Sequence, residues 1–148
     1  MPTFDIIKVS NPEKTFRVAS IVGKFDLHDE KTTEHFIGNI ELPKNWSVGL
    51  IVGGSGTGKT TIAKQLFGEN YVTGFKYGEN SIIDDMPEHR SIDDITKTFN
   101  SVGFNSPPSW LKKYEVLSNG EKMRVDLAMA ILSDNDFFVF DEFTSVVD

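Results

Sequence analysis

The stretch GGSGTGKTT, residues 53–61, decides how the rest of this sequence is interpreted. It fits the pattern G-x-x-x-x-G-K-[ST], in which glycines let backbone N–H groups turn inward around a phosphate. Residues 47–52 before it, SVGLIV, predict a buried strand, and residues 60–67 carry apolar side chains at helical spacing until Gly68. The alternative is a glycine-rich turn that holds a lysine by chance, but such a turn would not require a strand before it and a helix after it. The segment is therefore interpreted as a P-loop, and it predicts binding of ATP or a closely related nucleoside triphosphate.

Each part of this loop has a predicted role toward the triphosphate. Lys59 supplies a mobile positive charge for the β- and γ-phosphates, so we expect it to act in both binding and catalysis. The Thr60 hydroxyl is placed to ligate Mg²⁺, and the helix that begins here points its positive end at the same anion. The predicted nucleotide-binding residues of the loop are Gly53, Gly54, Ser55, Gly56, Thr57, Gly58, Lys59, Thr60 and Thr61.

A second motif, FFVFDE at residues 137–142, places two acids directly after four apolar residues. A strand buried on both faces would deliver these carboxylates at its C-terminal end, where ligands bind in parallel α/β sheets. Asp141 would then hold Mg²⁺, and Glu142 would orient and deprotonate an attacking water. The alternative is a strand that ends in two acids at the surface.

A third motif, LSNGE at residues 117–121, runs into a helix predicted to end at Leu132. Ser118 and Gly120 lie at the N-terminus of that helix, which is a position that favours an anion. The alternative is an ordinary helix N-cap formed by Ser118 or Asn119.

The remaining segments predict short elements around these motifs. Residues 15–22 and 36–42 alternate in part and predict strands, so residues 1–47 are expected to form a small antiparallel sheet. Residues 80–85 predict another strand. A capping box at residues 91–94 predicts a helix to about Val102, and residues 105–108 predict a loop.

Composition bounds the class of protein. The 148 residues are 39% hydrophobic and 25% charged, which is ordinary for a globular domain. The net charge of −7 disfavours nucleic-acid binding without excluding it. There is no secretory signal at the N-terminus and no run of eighteen apolar residues, and the absence of cysteine fits a reducing cytosol. We therefore expect a cytoplasmic protein with no membrane segment in this chain.

The order of the motifs resembles the ATP-binding cassette of ABC-type ATPases over nearly the whole chain. LSNGE is similar to that family's LSGGQ signature, with Asn for the first Gly and Glu for Gln, and FFVFDE is similar to its Walker B strand with the catalytic glutamate. SVVD, residues 145–148, resembles its D-loop, and Phe25 lies near the position of its adenine-stacking aromatic. SIIDDMP, LSNGEKMR and FDEFTSVVD also resemble a group of soluble ABC-like ATPases that are sometimes joined to a predicted acetyltransferase domain.

The resemblance implies a fold and a mechanism. The expected fold class is α/β, a P-loop NTPase core with a small N-terminal antiparallel β subdomain and a helical subdomain, incomplete at the C-terminus. Residues 1–47 would form the β part, 48–85 the P-loop core, 86–118 the helical subdomain, and 119–148 the signature helix and Walker B. Two such cassettes would sandwich ATP and Mg²⁺ in a homodimer, with Ser118 and Gly120 contacting the γ-phosphate bound to the opposite protomer.

Two departures from the family qualify this expectation. The glutamine that normally touches Mg²⁺ after the P-loop helix is missing, and the matching region offers Asp84 and Asp85, which would be either metal ligands or solvated turn acids. No histidine follows Walker B, so the chain is expected to be a fragment of a longer protein. We expect a soluble ABC-type ATPase rather than the ATPase subunit of a membrane transporter, because the loop of the missing glutamine normally docks to the membrane subunits. The alternatives left open are a transporter ATPase and a nucleotide-dependent dimerisation module with little turnover.

Overall fold

The computed structural model describes residues 3–27 and 32–141, in two units, Met1–Gly68 and Glu69–Asp148. The described residues have a mixed α/β structure with one two-stranded antiparallel sheet and five α-helices. The elements are β1 (Thr3–Ser10), α1 (Phe16–Phe25), β2 (Thr32–Asn39), α2 (Lys59–Phe67), α3 (Ile92–Ser101), α4 (Pro107–Trp110) and α5 (Asn119–Leu132), with 3₁₀ turns at Gly68–Asn70 and Tyr114–Val116.

The small sheet expected within residues 1–47 is present, but its strands differ from the predicted ones. β1 pairs with β2 in antiparallel register from Thr3↔Asn39 to Ser10↔Thr32. No strand was predicted at β1, and β2 begins and ends earlier than the predicted strand at residues 36–42. Helix α2 packs against β1 in the same unit.

The predicted strand at residues 15–22 is wrong, because this segment forms helix α1. The Thr15 side chain caps the helix by accepting a hydrogen bond from the Val18 N–H, and Asp26 ends it in the left-handed conformation at φ 49°. Val18, Ile21, Val22 and Phe25 follow the helical spacing i, i+3, i+4, i+7. The helical spacing of the apolar residues and the N-cap at Thr15 therefore outweighed the partial alternation of residues 15–22.

The strand predicted at residues 47–52 is also wrong, since this segment lies outside any helix or strand. Val48 and Leu50 are 89% and 84% exposed. A buried strand needs neighbouring strands that accept its backbone hydrogen bonds and cover its side chains. The described part of the first unit supplies only the β1–β2 pair, in which these residues take no part.

Helices α3 and α5 carry the core of the second unit. The two helices pack together, with Phe99 of α3 and Val125 of α5 fully buried. Phe104 joins them, and its ring meets that of Phe99 edge to face at 5.3 Å. Full burial of an aromatic or branched side chain contributes about 1.5–3 kcal/mol, so these contacts define the best-packed part of the described chain. The predicted helices at α2, α3 and α5 are confirmed.

Residues 80–85 form a turn rather than the predicted strand. The Asp84 N–H donates to the Ser81 carbonyl at 3.0 Å, and the Ser81 hydroxyl donates to the Asp84 carboxylate at 2.6 Å. Ile82 is buried in the core of the second unit. Serine and aspartate bond to nearby chain groups and so stabilise a turn against extension, while Ile82 still anchors the segment. The predicted loop at residues 105–108 contains the start of the single-turn helix α4.

The segment at residues 137–140 forms a single bridge instead of a buried strand. Val139 pairs in parallel with Tyr71, through hydrogen bonds from the Val139 N–H to the Asn70 carbonyl and from the Val72 N–H to the Val139 carbonyl. Residues 137–140 are half-buried because this bridge is their one backbone pairing among the described residues. Within residues 3–27 and 32–141, no helix is both long enough and apolar enough to cross a membrane.

Candidate functional site

The predicted phosphate loop is a tight turn that leads directly into α2. Gly56 and Gly58 both have positive φ, at 76° and 82°, a conformation that glycine adopts without a steric penalty. Gly58 is the N-cap of α2, and the Ile62 N–H donates to its carbonyl at 2.8 Å. The loop glycines therefore set the direction in which the helix starts.

Lys59 folds back over the loop that precedes it. Its Nζ donates to the carbonyl oxygens of Gly53 at 3.0 Å and Gly54 at 2.8 Å. The Thr57 hydroxyl also donates to the Gly54 carbonyl, at 2.8 Å. These are neutral acceptors, and phosphate oxygens would form stronger, charge-assisted hydrogen bonds with the same ammonium group. The lysine is thus held beside the loop by bonds that an anion could replace.

The N-terminus of α2 has two features of an anion site. Its N-cap Gly58 provides no side-chain hydrogen bond, and the first turn contains no acidic residue. The Thr60 side chain is exposed at this turn, whereas Thr61 is half-buried. The positive end of the helix is therefore not offset by a nearby carboxylate of its own first turn.

Phe36 of β2 also belongs to this region, although no sequence pattern indicated it. A Cβ built on Gly58 would lie 2.6 Å from the Phe36 ring. The aromatic ring therefore packs against the backbone at the start of α2. The partial alternation of residues 36–42 predicted a strand, but no local pattern connects Phe36 with a loop more than twenty residues later.

Phe25, the predicted adenine-stacking residue, is the last residue of α1 and is 62% exposed. The Lys24 ammonium lies 5.8 Å from its ring centroid, which is a cation–π distance. The ring therefore remains accessible enough to stack on a flat ligand.

Ser118 is the N-cap of α5 and forms a capping box with Glu121. The Glu121 N–H donates to the Ser118 hydroxyl at 3.3 Å, and the Ser118 N–H donates to Glu121 Oε2 at 2.9 Å. Ser118 is therefore a helix N-cap, as the alternative for LSNGE expected, and its contact with an anion stays a prediction. Ser118 is exposed and Gly120 half-buried at this helix start.

Glu121 is held on both carboxylate oxygens. The Ser118 N–H and then the Ser109 hydroxyl, which donates to Oε1 at 3.0 Å, lower the pKa of the Glu121 carboxyl below its usual range. Ser109, on α4, is buried. These contacts fix the first turn of α5 against the segment that precedes it, and they keep Glu121 ionised.

Asp141 follows the bridge residue Val139 and accepts a hydrogen bond from the Tyr71 hydroxyl at 3.0 Å. Tyr71 is thus a second residue near a candidate site residue that no sequence pattern indicated. Glu142, the predicted general base, and residues 145–148 lie outside the described residues.

Asp84 and Asp85 differ in their surroundings. Asp84 is exposed and bonded to the Ser81 hydroxyl. Asp85 accepts the Gly78 N–H on Oδ1 at 3.1 Å, while its Oδ2 is buried and has no hydrogen-bond partner. A buried carboxylate oxygen without a hydrogen-bond partner is energetically costly and calls for an explanation. A cation bound at this oxygen would be one explanation. Among the residues that the structure describes, no three acidic or histidine side chains are grouped as a metal site.

The structure therefore brings residues 53–61 together as one loop and helix start in the first unit. Ser118 and Gly120 lie together at the start of α5 in the second unit, which also contains Asp85 and Asp141. Comparisons with protein-family models, with curated proteins and with solved structures gave no match to this chain.

Proposed function

We propose that this chain binds ATP with Mg²⁺ and hydrolyses it as an ABC-type ATPase built on a P-loop NTPase core, through a homodimer that sandwiches the nucleotide. The supporting observation is the loop at residues 53–58, in which Gly56 and Gly58 at positive φ lead into a helix N-terminus without a side-chain cap, with Lys59 folded over the loop. The proposal depends on this loop and on the order of the motifs rather than on a sheet, since residues 47–52 form no strand.

The catalytic roles follow from what each side chain can do. Lys59 would exchange its two carbonyl acceptors for phosphate oxygens and stabilise the charge that develops during in-line attack by water. Glu142 would orient and deprotonate that water. Ser118 and Gly120, at the start of α5, would complete the site of the opposite protomer, because a helix N-terminus favours the γ-phosphate.

The side chains proposed for Mg²⁺ fit that ion chemically. Thr60, Asp141 and either Asp84 or Asp85 are oxygen donors, and one oxygen of Asp85 is buried without a partner. Mg²⁺ is commonly bound by one or two carboxylates together with substrate phosphates and water, so a larger acidic group is not required. When bound, the ion would neutralise charge on the β- and γ-phosphates.

Removal of the Lys59 ammonium is the sharpest test of this function. We expect Lys59→Ala to weaken Mg²⁺–ATP binding about a hundredfold and to abolish phosphate release, since a hydrogen bond between charged groups is worth about 1.5–3 kcal/mol. Binding would be measured by isothermal titration calorimetry and turnover by steady-state phosphate release.

Lys64→Ala is the matched control, because it removes an equal charge from the exposed last turn of the same helix. Binding and turnover in this variant should stay within about twofold of the parent, which is the range of ordinary surface substitutions. If Lys59→Ala and Lys64→Ala bound ATP alike, the loop would not be the nucleotide site. ATP binding without turnover in the parent would instead favour the dimerisation module.

A further inference from the structure

Two tyrosines in the second unit stack on each other beside α5. Tyr77 lies in the segment between α2 and α3, and Tyr114 lies in the 3₁₀ turn that precedes Ser118. Their ring centroids are 3.9 Å apart and the ring planes differ by 11°. Both rings pack against the core that contains α3 and α5.

Both hydroxyl groups bind one carboxylate on α5. The Tyr77 hydroxyl donates to Asp126 Oδ1 at 2.7 Å, and the Tyr114 hydroxyl lies 3.1 and 3.0 Å from the two oxygens of the same residue. Hydrogen bonds to an ionised acceptor are stronger than neutral ones. Burial raises the pKa of Asp126 above its usual range, although the hydrogen bonds from the two hydroxyl groups act in the opposite direction. Burial and Asp126 raise the pKa of both tyrosines, which therefore stay protonated as donors.

These contacts fix α5 at a second point along its length. The first point is the capping box, where Ser109 of α4 also bonds Glu121. Asp126 lies eight residues after Ser118, which corresponds to about 12 Å along the helix. A helix held at two separated points cannot tilt or rotate without breaking one of them. The Asp126 contacts therefore help to hold the orientation of Ser118 and Gly120, in addition to the buried residues by which α5 packs in the core.

We propose that Tyr77, Tyr114 and Asp126 form a positioning cluster that orients the start of α5 toward the nucleotide bound by the opposite protomer. This inference rests on the proposed function, in which Ser118 and Gly120 act across a dimer interface. The three residues act through α5 rather than by touching nucleotide. Misplacement of a contact group by about 1 Å can cost about a hundredfold in rate, so a loosened helix would affect turnover strongly.

The test separates binding within one protomer from assembly of two. Tyr77→Phe and Tyr114→Phe keep the stacked rings and remove only the hydroxyl groups, and Asp126→Asn removes the charge at constant size. A non-hydrolysable ATP analogue with Mg²⁺ would be titrated at low protein concentration for affinity, and at high concentration in sedimentation velocity runs for dimer formation. We expect unchanged affinity in the monomer, and a dimer dissociation constant raised about tenfold, as for loss of one charge-assisted hydrogen bond.

Glu79→Gln is the matched control. Glu79 and Lys113 form an exposed ion pair at 2.7 Å that joins the same two segments as the tyrosines but does not reach α5. This variant should dimerise as the parent does. If Glu79→Gln weakened dimerisation as much as the tyrosine variants do, the effect would come from the segments that carry Tyr77 and Tyr114 rather than from α5. That result would overturn the inference.

Other outcomes are also decisive. The inference is overturned if Tyr77→Phe, Tyr114→Phe and Asp126→Asn all dimerise like the parent, or if monomer affinity and dimerisation fall together, as general destabilisation predicts. A parent that binds no nucleotide overturns the proposed function and this inference with it. If the parent binds nucleotide and dimerises, and the variants dimerise as tightly as the parent, the inference is overturned and the proposed function is not.

Discussion

At the scale of single residues, Gly58 meets two steric requirements at once. Its φ of 82° lies in the left-handed region, which costs a residue with a Cβ about 1–2 kcal/mol. The α-hydrogen that a Cβ would replace also points at the Phe36 ring, which that Cβ would approach to 2.6 Å. Either condition alone favours glycine, and together they make Gly58 the most restricted position of the loop.

We therefore expect Gly58→Ala to weaken ATP binding about tenfold or more and to destabilise the first unit by about 1–2 kcal/mol. The reason is that the added Cβ forces the loop either to move away from the Phe36 ring or to leave the left-handed conformation at residue 58. Calorimetric ATP titration and urea unfolding would measure the two effects. Adding Phe36→Ala should restore part of the loss, namely the part caused by the ring.

Gly68→Ala is the control for this substitution, since Gly68 has helical φ and ψ and no atom within 4 Å of a built Cβ. It should be neutral or slightly stabilising, because alanine favours the helical conformation. Equal losses at Gly58 and Gly68 would contradict the steric account.

At the scale of elements, helices α3 and α5 could be predicted from the sequence, whereas the capped helix α1 and the pairing partners of the strands could not. Ser91 and Ser118 cap α3 and α5 where the sequence indicated, because a cap and a helical period are local. Residues 47–52 and 137–140 have apolar runs typical of strands, but pairing depends on partners distant in the chain. The capping role of Ser118 followed from the sequence, whereas the contacts of Phe36 and Tyr71 depend on tertiary packing.

The capping box of α5 predicts a pH dependence of stability. The pKa of the Glu121 carboxyl is lower in the folded chain than the ordinary value of about 4.3, because the Ser118 N–H and the Ser109 hydroxyl donate to it. A lowered pKa stabilises the fold above the unfolded value, and this contribution is lost as the pH falls through the folded value. Glutamine keeps the capping acceptor but not the charge.

We therefore expect Glu121→Gln to lower the free energy of unfolding by about 0.5–1 kcal/mol at pH 7, with the difference from the parent vanishing as the pH falls below about 4. Urea unfolding curves between pH 7 and pH 3 would measure it. Glu115→Gln, in the 3₁₀ turn outside α5, is the control. A difference that stayed constant over this pH range would contradict the ionised capping box.

At the scale of the whole molecule, burial is unequal between the two units. Among the described residues, Ala63 is the one buried hydrophobic residue of the first unit, while α3, α5 and their neighbours hold the others. Local opening costs little free energy where few apolar contacts are lost. The phosphate loop and α2 therefore belong to the unit with the smaller core. Ligand binding can slow local opening more in this unit than in the second one.

Hydrogen–deuterium exchange should reveal this difference and its dependence on ATP. Without nucleotide, we expect amides of α2 to exchange faster than those of α3, because α3 packs against α5 in the buried core. At a hundred times its dissociation constant, a ligand that binds only the closed state adds about 2.7 kcal/mol, which slows exchange about a hundredfold. Mg²⁺–ATP should therefore slow exchange in α2 by that order and leave α3 nearly unchanged, and Lys59→Ala should remove the effect. Equal slowing in α2 and α3 would mean that the nucleotide stabilises both units alike, and unchanged exchange in α2 would place the nucleotide elsewhere.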